Sequence, residues 1–256
     1  MKLLNNWWVT TVKLTDYIIV IPARFDSKRL SGKALIDISG KTLVEHVFLA
    51  ASKSQASEII IATDSEKIKQ VTQNLDAKTV ITRASHNSGT DRIAEVAEIE
   101  KWKADQIIVN LQGDCPLMPP ENIDQVASLL FKNPDAGIAT LATKIIDPEE
   151  INDPNVVKVD FDTNGRAISF QRKIKNSVDQ EIGLWRHIGI YAYTIEALKI
   201  FSQHPRTKSE IEARLEQLRA VDLEMKIIIE EAVIPPGPDV DTEEDLHKVR
   251  RILGTN

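Results

Sequence analysis

A single cysteine, Cys115, stands among 256 residues, which excludes an intramolecular disulfide framework and most structural zinc sites. A reduced, cytoplasmic setting is the matching expectation. Glycine (10) and proline (11) are too few for a low-complexity or disordered chain. No apolar run approaches the roughly 18 residues of a transmembrane helix, so membrane insertion is not expected. Residues 1–16 contain Leu3, Leu4, Trp7 and Trp8, but Asn5 and Asn6 interrupt them, and the continuous apolar core of a secretory signal is missing. We read 1–16 as an N-terminal extension ahead of the first strand.

Several chemical signatures are missing too. Neither the Walker A pattern G-x-x-x-x-G-K-[ST] nor the dinucleotide fingerprint G-x-G-x-x-G occurs, which argues against kinase-type P-loop chemistry and hydride transfer. No G-x-S-x-G elbow is present, Cys115 has no histidine near it in sequence, and His46, His86, His204 and His247 show no metal-ligand spacing. What is present is an ordinary globular balance of 42% hydrophobic and 27% charged residues. A chain of this length can bury roughly three quarters of its unfolded surface. With 38 acidic and 32 basic side chains the net charge is −6, which argues against nucleic acid or an anionic membrane as partner. A small anionic ligand responds to local charge and is not excluded.

The run Tyr17-Ile18-Ile19-Val20-Ile21 reads as a strand covered on both faces, as do residues 59–63 and 107–111. Residues 80–82 make a short strand between them. Amphipathic segments lie between these strands: Leu43, Val44, Val47, Phe48 and Ala51 recur at helical spacing, Asp64 reads as the N-cap of another helix, and Ser88-Gly89-Thr90-Asp91 has the form of a capping box opening a helix to about Glu100. Alternation over 17–135 predicts parallel βαβ units in a three-layer α/β/α sandwich, Rossmann-like, with a mixed but mainly parallel sheet. Residues 136–144, 155–161, 166–171 and 186–193 then read as strands with few helices between, with Asp162-Thr163-Asn164-Gly165 as a hairpin turn. Helices are expected at 194–203 and 208–220, a last strand at 226–230, and a C-terminal helix capped by Asp241. One domain over 17–254 is expected, with a small β-rich insertion around 145–193.

Three segments carry candidate chemistry. The loop after the first strand places Arg24, Lys28, Arg29 and Lys33 against one acid, Asp26, a local +3 in an acidic chain. Ligands of open α/β sheets bind outside the carboxyl ends of strands, and this loop leaves such an end. Its cations suit phosphate oxygens and the charge of a leaving group. Asp114, in Gln112-Gly113-Asp114, follows a buried strand at the same edge. It suits a hard-metal ligand and an Asx turn equally. Asp241 reads first as a helix cap and secondarily as another metal carboxylate. Arg83 and residues 88–92 offer a helix N-terminus and polar groups where phosphate or a base edge could dock. His187 and Tyr191 share one face of a strand, which fits a core pair as well as a ligand contact.

In this order the segments resemble the 3-deoxy-manno-octulosonate (Kdo) cytidylyltransferases over residues 17–253. The family's I-P-A-R-x-x-S-x-R-L-P-G-K-x-L stands here as Ile21-Pro22-Ala23-Arg24-Phe25-Asp26-Ser27-Lys28-Arg29-Leu30-Ser31-Gly32-Lys33-Ala34-Leu35. Residues 61–64, 88–92, 109–114, 186–191, 215–219 and 240–242 match further family segments. The resemblance implies attack of the anomeric hydroxyl of a 3-deoxy-ulosonic acid on the α-phosphate of CTP, with Mg²⁺, giving a CMP-sugar and pyrophosphate for lipopolysaccharide or capsule. Arg24, Arg29 and Lys33 would hold the triphosphate and offset charge on the leaving pyrophosphate. Ala23, Ser27, Arg92 and Gln112 would contact the nucleotide. Asp114 and Asp241 would ligate Mg²⁺. Arg172, His187, Tyr191, Glu216 and Gln217 would line the sugar pocket beside Gln112, with Arg172 facing the sugar carboxylate. A homodimer joined through the β-rich insertion is also implied.

The chain departs from the family at three places. Ser31 and Ala34 replace prolines of the first loop, Cys115 replaces the glutamate of Q-G-D-E-P, and residues 171–176 (QRKIKN) stand where the family reads close to S-R-x-x-I-P. The third borders the sugar pocket, so an 8-amino-Kdo, sialic or pseudaminic relative stays open as substrate, as does CTP binding without turnover.

Overall fold

Residues 16–26, 30–75, 77–173 and 184–254 are described in the computed structural model of the chain. β1 (Tyr17–Ala23) leads through a 3-10 turn at Lys33–Leu35 and a short hairpin, β2 (Asp37–Ile38) and β3 (Lys41–Thr42), into α1 (Leu43–Ala51). β4 (Glu58–Thr63), α2 (Glu66–Thr72), β5 (Lys78–Ile81), α3 (Gly89–Glu100), β6 (Ile107–Asn110) and α4 (Pro120–Lys132) continue the alternation. Then come β7 (Ile138–Lys144), α5 (Glu149–Asn152), β8 (Lys158–Phe161), β9 (Ala167–Gln171) and β10 (Trp185–Thr194). α6 (Ile195–Gln203), α7 (Lys208–Ala213), α8 (Leu218–Asp222), β11 (Ile227–Glu231) and α9 (Glu243–Ile252) complete the order.

The strands run β11-β7-β10-β6-β1-β4-β5 across one sheet, and β8 and β9 extend it from the edge of β10 to nine strands. Along the main path every strand is parallel to β1 except β10, which is antiparallel to both β6 and β7. The expected mixed, mainly parallel sheet is therefore found. β1 shows why its sequence is a continuous apolar run. Tyr17, Ile19, Ile21 and Ala23 pack into one core with α1, α4 and α9, while Ile18 and Val20 pack into the other with α3 and α6. Alternate residues face opposite layers, and both layers are dry. Among the described residues no helix is long and apolar enough to cross a membrane. The N-terminal extension expected at 1–16 falls, but for Asp16, outside the described residues.

Local expectations fail where a distant charge competes for a capping group. Asp64 does not cap α2; Ser65 occupies that position, and the Asp64 carboxylate binds Arg92 instead. Ser88 does cap α3, accepting from the Asp91 N–H at 3.1 Å, one half of the expected box. The single helix expected at 208–220 is two. Thr207 and Glu210 form the capping box of α7, and Arg214, at φ +54°, ends it in the left-handed region. The hairpin at 162–165 forms as read, with Asp162 Oδ1 accepting from the N–H groups of Asn164 (2.8 Å) and Arg166 (2.9 Å) and Gly165 at φ +78°.

The break between α7 and α8 serves a buried ion pair. Glu210 and Arg219 are 2% and 3% exposed. Arg219 donates from Nε and Nη2 to the two Glu210 oxygens, each at 2.8 Å, and from Nη1 to the Phe201 carbonyl at 3.1 Å. Arg206 reaches the same carboxylate at 2.9 Å. Removing one partner of such a pair leaves an uncompensated buried charge. We expect Arg219→Met to cost about 3 kcal/mol in urea unfolding. Burial opposes ionisation of Glu210, but Arg219 and Arg206 prevail and hold its carboxyl below the ordinary range. A carboxyl depressed in the folded state contributes stability above the unfolded value and loses it as pH falls through the folded value. The stability gap between wild type and Glu210→Gln should accordingly narrow on acidification; a gap independent of pH would contradict the pairing.

Candidate active site

The carboxyl ends of β1, β4, β5 and β6 lie side by side, so the segments that leave them gather along one edge. There Ala23, Arg24, Lys33, Arg92, Gln112, Asp114 and Asp241 line a single cleft of about 310 Å³ with Pro22, Ala34, His86, Asn87, Ser88, Gly89 and Gly113. Seven of the residues singled out in the sequence are thus brought together. Ser27 and Arg29 lie outside the described residues.

Lys33 is the electrostatic centre of the cleft. Gly32, at φ +65°, takes a left-handed conformation that suits glycine, and the 3-10 turn starts at the next residue. The Lys33 ammonium, 13% exposed, donates to Asp114 Oδ2 at 2.7 Å and to Asp241 Oδ1 at 3.0 Å. Burial would lower its pKa, but the two carboxylates outweigh burial and raise it. Asp241 is not the helix cap that its position suggests. Thr242 caps α9 in a box with Asp245, and the Asp241 carboxylate is engaged by Lys33. The Val240 N–H donates to the Asp114 carbonyl at 2.8 Å, which sets the two acidic residues side by side. Gly113 lets the end of β6 press on β1, because a Cβ there would sit 2.7 Å from the Pro22 carbonyl oxygen.

Arg92, 3% exposed, donates to Asp64 Oδ2 at 2.7 Å and to Thr82 Oγ1. Asp64 Oδ1 accepts the Phe25 N–H at 3.2 Å. Arg92 thus steadies the start of the first loop through Asp64 while its own side chain lines the cleft. Cys115 is buried, and burial, then Asp239 and Asp114, push its thiol well up, so it stays protonated and inert.

The residues assigned to a sugar pocket are placed differently. His187, Tyr191, Glu216, Gln217 and Arg172 are not among those lining this cleft. His187 and Tyr191 do share a face, with ring centroids 5.3 Å apart, in an aromatic row with Phe170 and Tyr193. His187 Nε2 lies 3.0 Å from Thr140 Oγ1, and burial pushes the imidazole down to about 3, so it is neutral. Glu216 accepts from Thr90 Oγ1 at 2.9 Å, directly behind Ser88 and Gly89 of the cleft wall; burial raises its carboxyl. Arg172 does not present its guanidinium to the cleft. It donates to the carbonyls of Pro154 (2.9 Å), Ala213 (3.2 Å) and Arg214 (3.3 Å), locking the end of β9 against α7.

Two carboxylates that converge on one ammonium form a pair of hard oxygen donors. Mg²⁺ takes one or two carboxylates together with substrate phosphates, so Asp114 and Asp241 fit it. Among the described residues no group of three or more His, Cys, Asp or Glu could hold a metal unaided, so further ligands would come from substrate. Sequence reading missed His86 and Asn87, although the segment 88–92 directly beside them drew notice.

An open α/β sheet with a cation-rich loop and paired carboxylates at its carboxyl edge, and no Walker A or dinucleotide fingerprint, defines a nucleotide-handling transferase. A cytidylyltransferase family model matches residues 18–228. A 3-deoxy-manno-octulosonate cytidylyltransferase of Francisella philomiragia is 44% identical over 246 residues, 92% of this chain and 97% of that one. The protein of that name from Pseudomonas syringae pv. tomato is 43% identical over 93% and 98% of the two chains. A solved CMP:2-keto-3-deoxy-manno-octonic acid synthetase complexed with CTP superposes with a TM-score of 0.86 at 38% identity, covering 93% of this chain and 98% of that one. The chain belongs to the cytidylyltransferase family and is a nucleotidyltransferase. Because Gly113 seats the strand end that carries Asp114, we expect Gly113→Ala to lower kcat/KM about 100-fold in a pyrophosphate-release assay. Its melting transition should fall as well, because the atom in the way is a backbone carbonyl that cannot turn aside; unchanged turnover would refute the tight seat.

Proposed function

We propose that the chain is a CMP-Kdo synthetase: it joins CTP to 3-deoxy-manno-octulosonate and releases pyrophosphate. The observation that carries this reading is Lys33 bridging Asp114 and Asp241 inside a cleft that Arg24 also lines. The sugar's anomeric hydroxyl loses its proton to solvent as its oxygen forms a bond to the α-phosphorus, and the bond from that phosphorus to the β-phosphate bridge breaks, its electron pair leaving on pyrophosphate. Arg24 and Lys33, with Arg29 from the same loop, hold the triphosphate and stabilise charge on the departing pyrophosphate. Ala23, Ser27, Arg92 and Gln112 orient the nucleotide. Asp114 and Asp241 would hold Mg²⁺, which when bound neutralises phosphate charge and polarises the reacting phosphorus. The reading includes a homodimer, an extension at 1–16 ahead of a catalytic domain at 17–254, and a cytoplasmic role in supplying lipopolysaccharide or capsule.

A second reading, in which the sugar acid differs from Kdo, is favoured by Arg172, whose guanidinium is occupied by three backbone carbonyls. Pyrophosphate release with CTP, Mg²⁺ and a panel of Kdo, 8-amino-Kdo, sialic and pseudaminic acids separates the two. Kdo should give the largest kcat/KM. Silence across the panel from folded protein would overturn both, in favour of CTP binding without turnover. Asp114→Ala should abolish turnover while part of the CTP affinity survives; an active Asp114→Ala enzyme would remove the metal assignment.

A further inference from the structure

The loop after β5 brings His86 into the cleft from a strand three places along the sheet from β6, which delivers Asp114. The imidazole is only 10% exposed, and its Nε2 is bound to Oε2 of Glu95 on α3. Glu95 also accepts the Arg83 main-chain N–H at 2.9 Å and Arg83 Nε–H at 3.1 Å. Against the cost of burial, the hydrogen bonds from His86 and Arg83 hold the Glu95 carboxyl below its ordinary range. An ionised carboxylate only accepts, so the proton of this bond sits on Nε2. With the bonded proton on Nε2, Nδ1 is the ring's second polar edge, and it is an acceptor whenever the ring carries only that one proton.

The cations of the cleft wall suit phosphate oxygens; an acceptor suits an amino group instead. Cytosine carries an exocyclic amino group where uracil carries a carbonyl oxygen. Resting on the reading above, we infer that His86, its tautomer locked by Glu95, is a specificity residue whose Nδ1 accepts from the amino group of CTP and repels the carbonyl of UTP. Glu95 is the positioning residue. Without its charge the ring can move its proton to Nδ1 and accommodate UTP.

The test is calorimetric binding of CTP and of UTP, each with Mg²⁺ and no sugar, to the full chain. Wild type should prefer CTP, and 15N spectra should show His86 as the Nε2–H tautomer. His86→Phe and Glu95→Gln should each shrink the CTP:UTP affinity ratio about tenfold, the worth of one hydrogen bond. A ratio that holds in either folded variant would overturn the inference, as would equal weakening of both nucleotides, the mark of a merely structural or phosphate-holding histidine. Should His86→Phe fail to fold, Glu95→Gln decides alone. Because no sugar is present, a silent sugar-acid panel would sink the proposed reaction and leave this result standing.

Discussion

One ammonium holds three remote parts of the chain together. Lys33 belongs to the first loop, Asp114 to the end of β6 and Asp241 to the approach to α9, 81 and 208 residues away in sequence. Two carboxylates brought this close repel unless a cation stands between them. The ammonium relieves that repulsion, and the carboxylates in turn keep Lys33 charged although it is largely buried. Substrate therefore meets a site already folded around its charges. To engage an incoming anion, Lys33 would have to give up part of its grip on the two carboxylates.

Sheet topology explains why only part of the expected site assembles in this cleft. The residues expected on the nucleotide side leave the carboxyl ends of β1, β4, β5 and β6, which parallel pairing places in a row. His187 and Tyr191 lie on β10, the antiparallel strand between β6 and β7, whose register shifts between Ile188 and Tyr191. The same strand anchors β8 and β9 and so carries Arg172 at its far side. The two groups of residues are held by different geometric rules: strand ends for one, a strand face and an added hairpin for the other.

The strands were legible because both faces of each are buried, which leaves the continuous apolar runs at 17–21, 59–63 and 107–111. The basic loop and Asp114 were legible for a topological reason, since both leave strand ends at the edge where α/β sheets bind ligands. Caps were read less well. Asp64, Ser65, Asp241 and Thr242 are all acceptable caps by type, and local pattern cannot rank them. What ranks them is Arg92, 28 residues from Asp64, and Lys33, 208 residues from Asp241, which claim the carboxylates; the cap positions fall to Ser65, which makes no side-chain cap bond, and to Thr242, which does. The helix expected at 208–220 failed for a related reason: Glu210 turns inward to Arg219, and the chain breaks at Arg214 to allow it. Arg172 matched a family position, but its contacts depend on carbonyls of 154, 213 and 214 that no spacing rule brings together.

The same long-range pairing revises the local charge read from the first loop. The +3 of residues 24–33 is not what a ligand meets, because Lys33 faces two carboxylates from elsewhere in the chain. Arg92 is likewise matched by Asp64, and His86 by Glu95. Lys33, Arg92 and His86 are thus each oriented by an acid from another element, which lowers the entropy lost when ligand binds. The cost is weaker attraction for a bare triphosphate. On the proposed reading, a nucleotide accompanied by a divalent cation would offset that cost, because the cation would satisfy the acids that Lys33 releases.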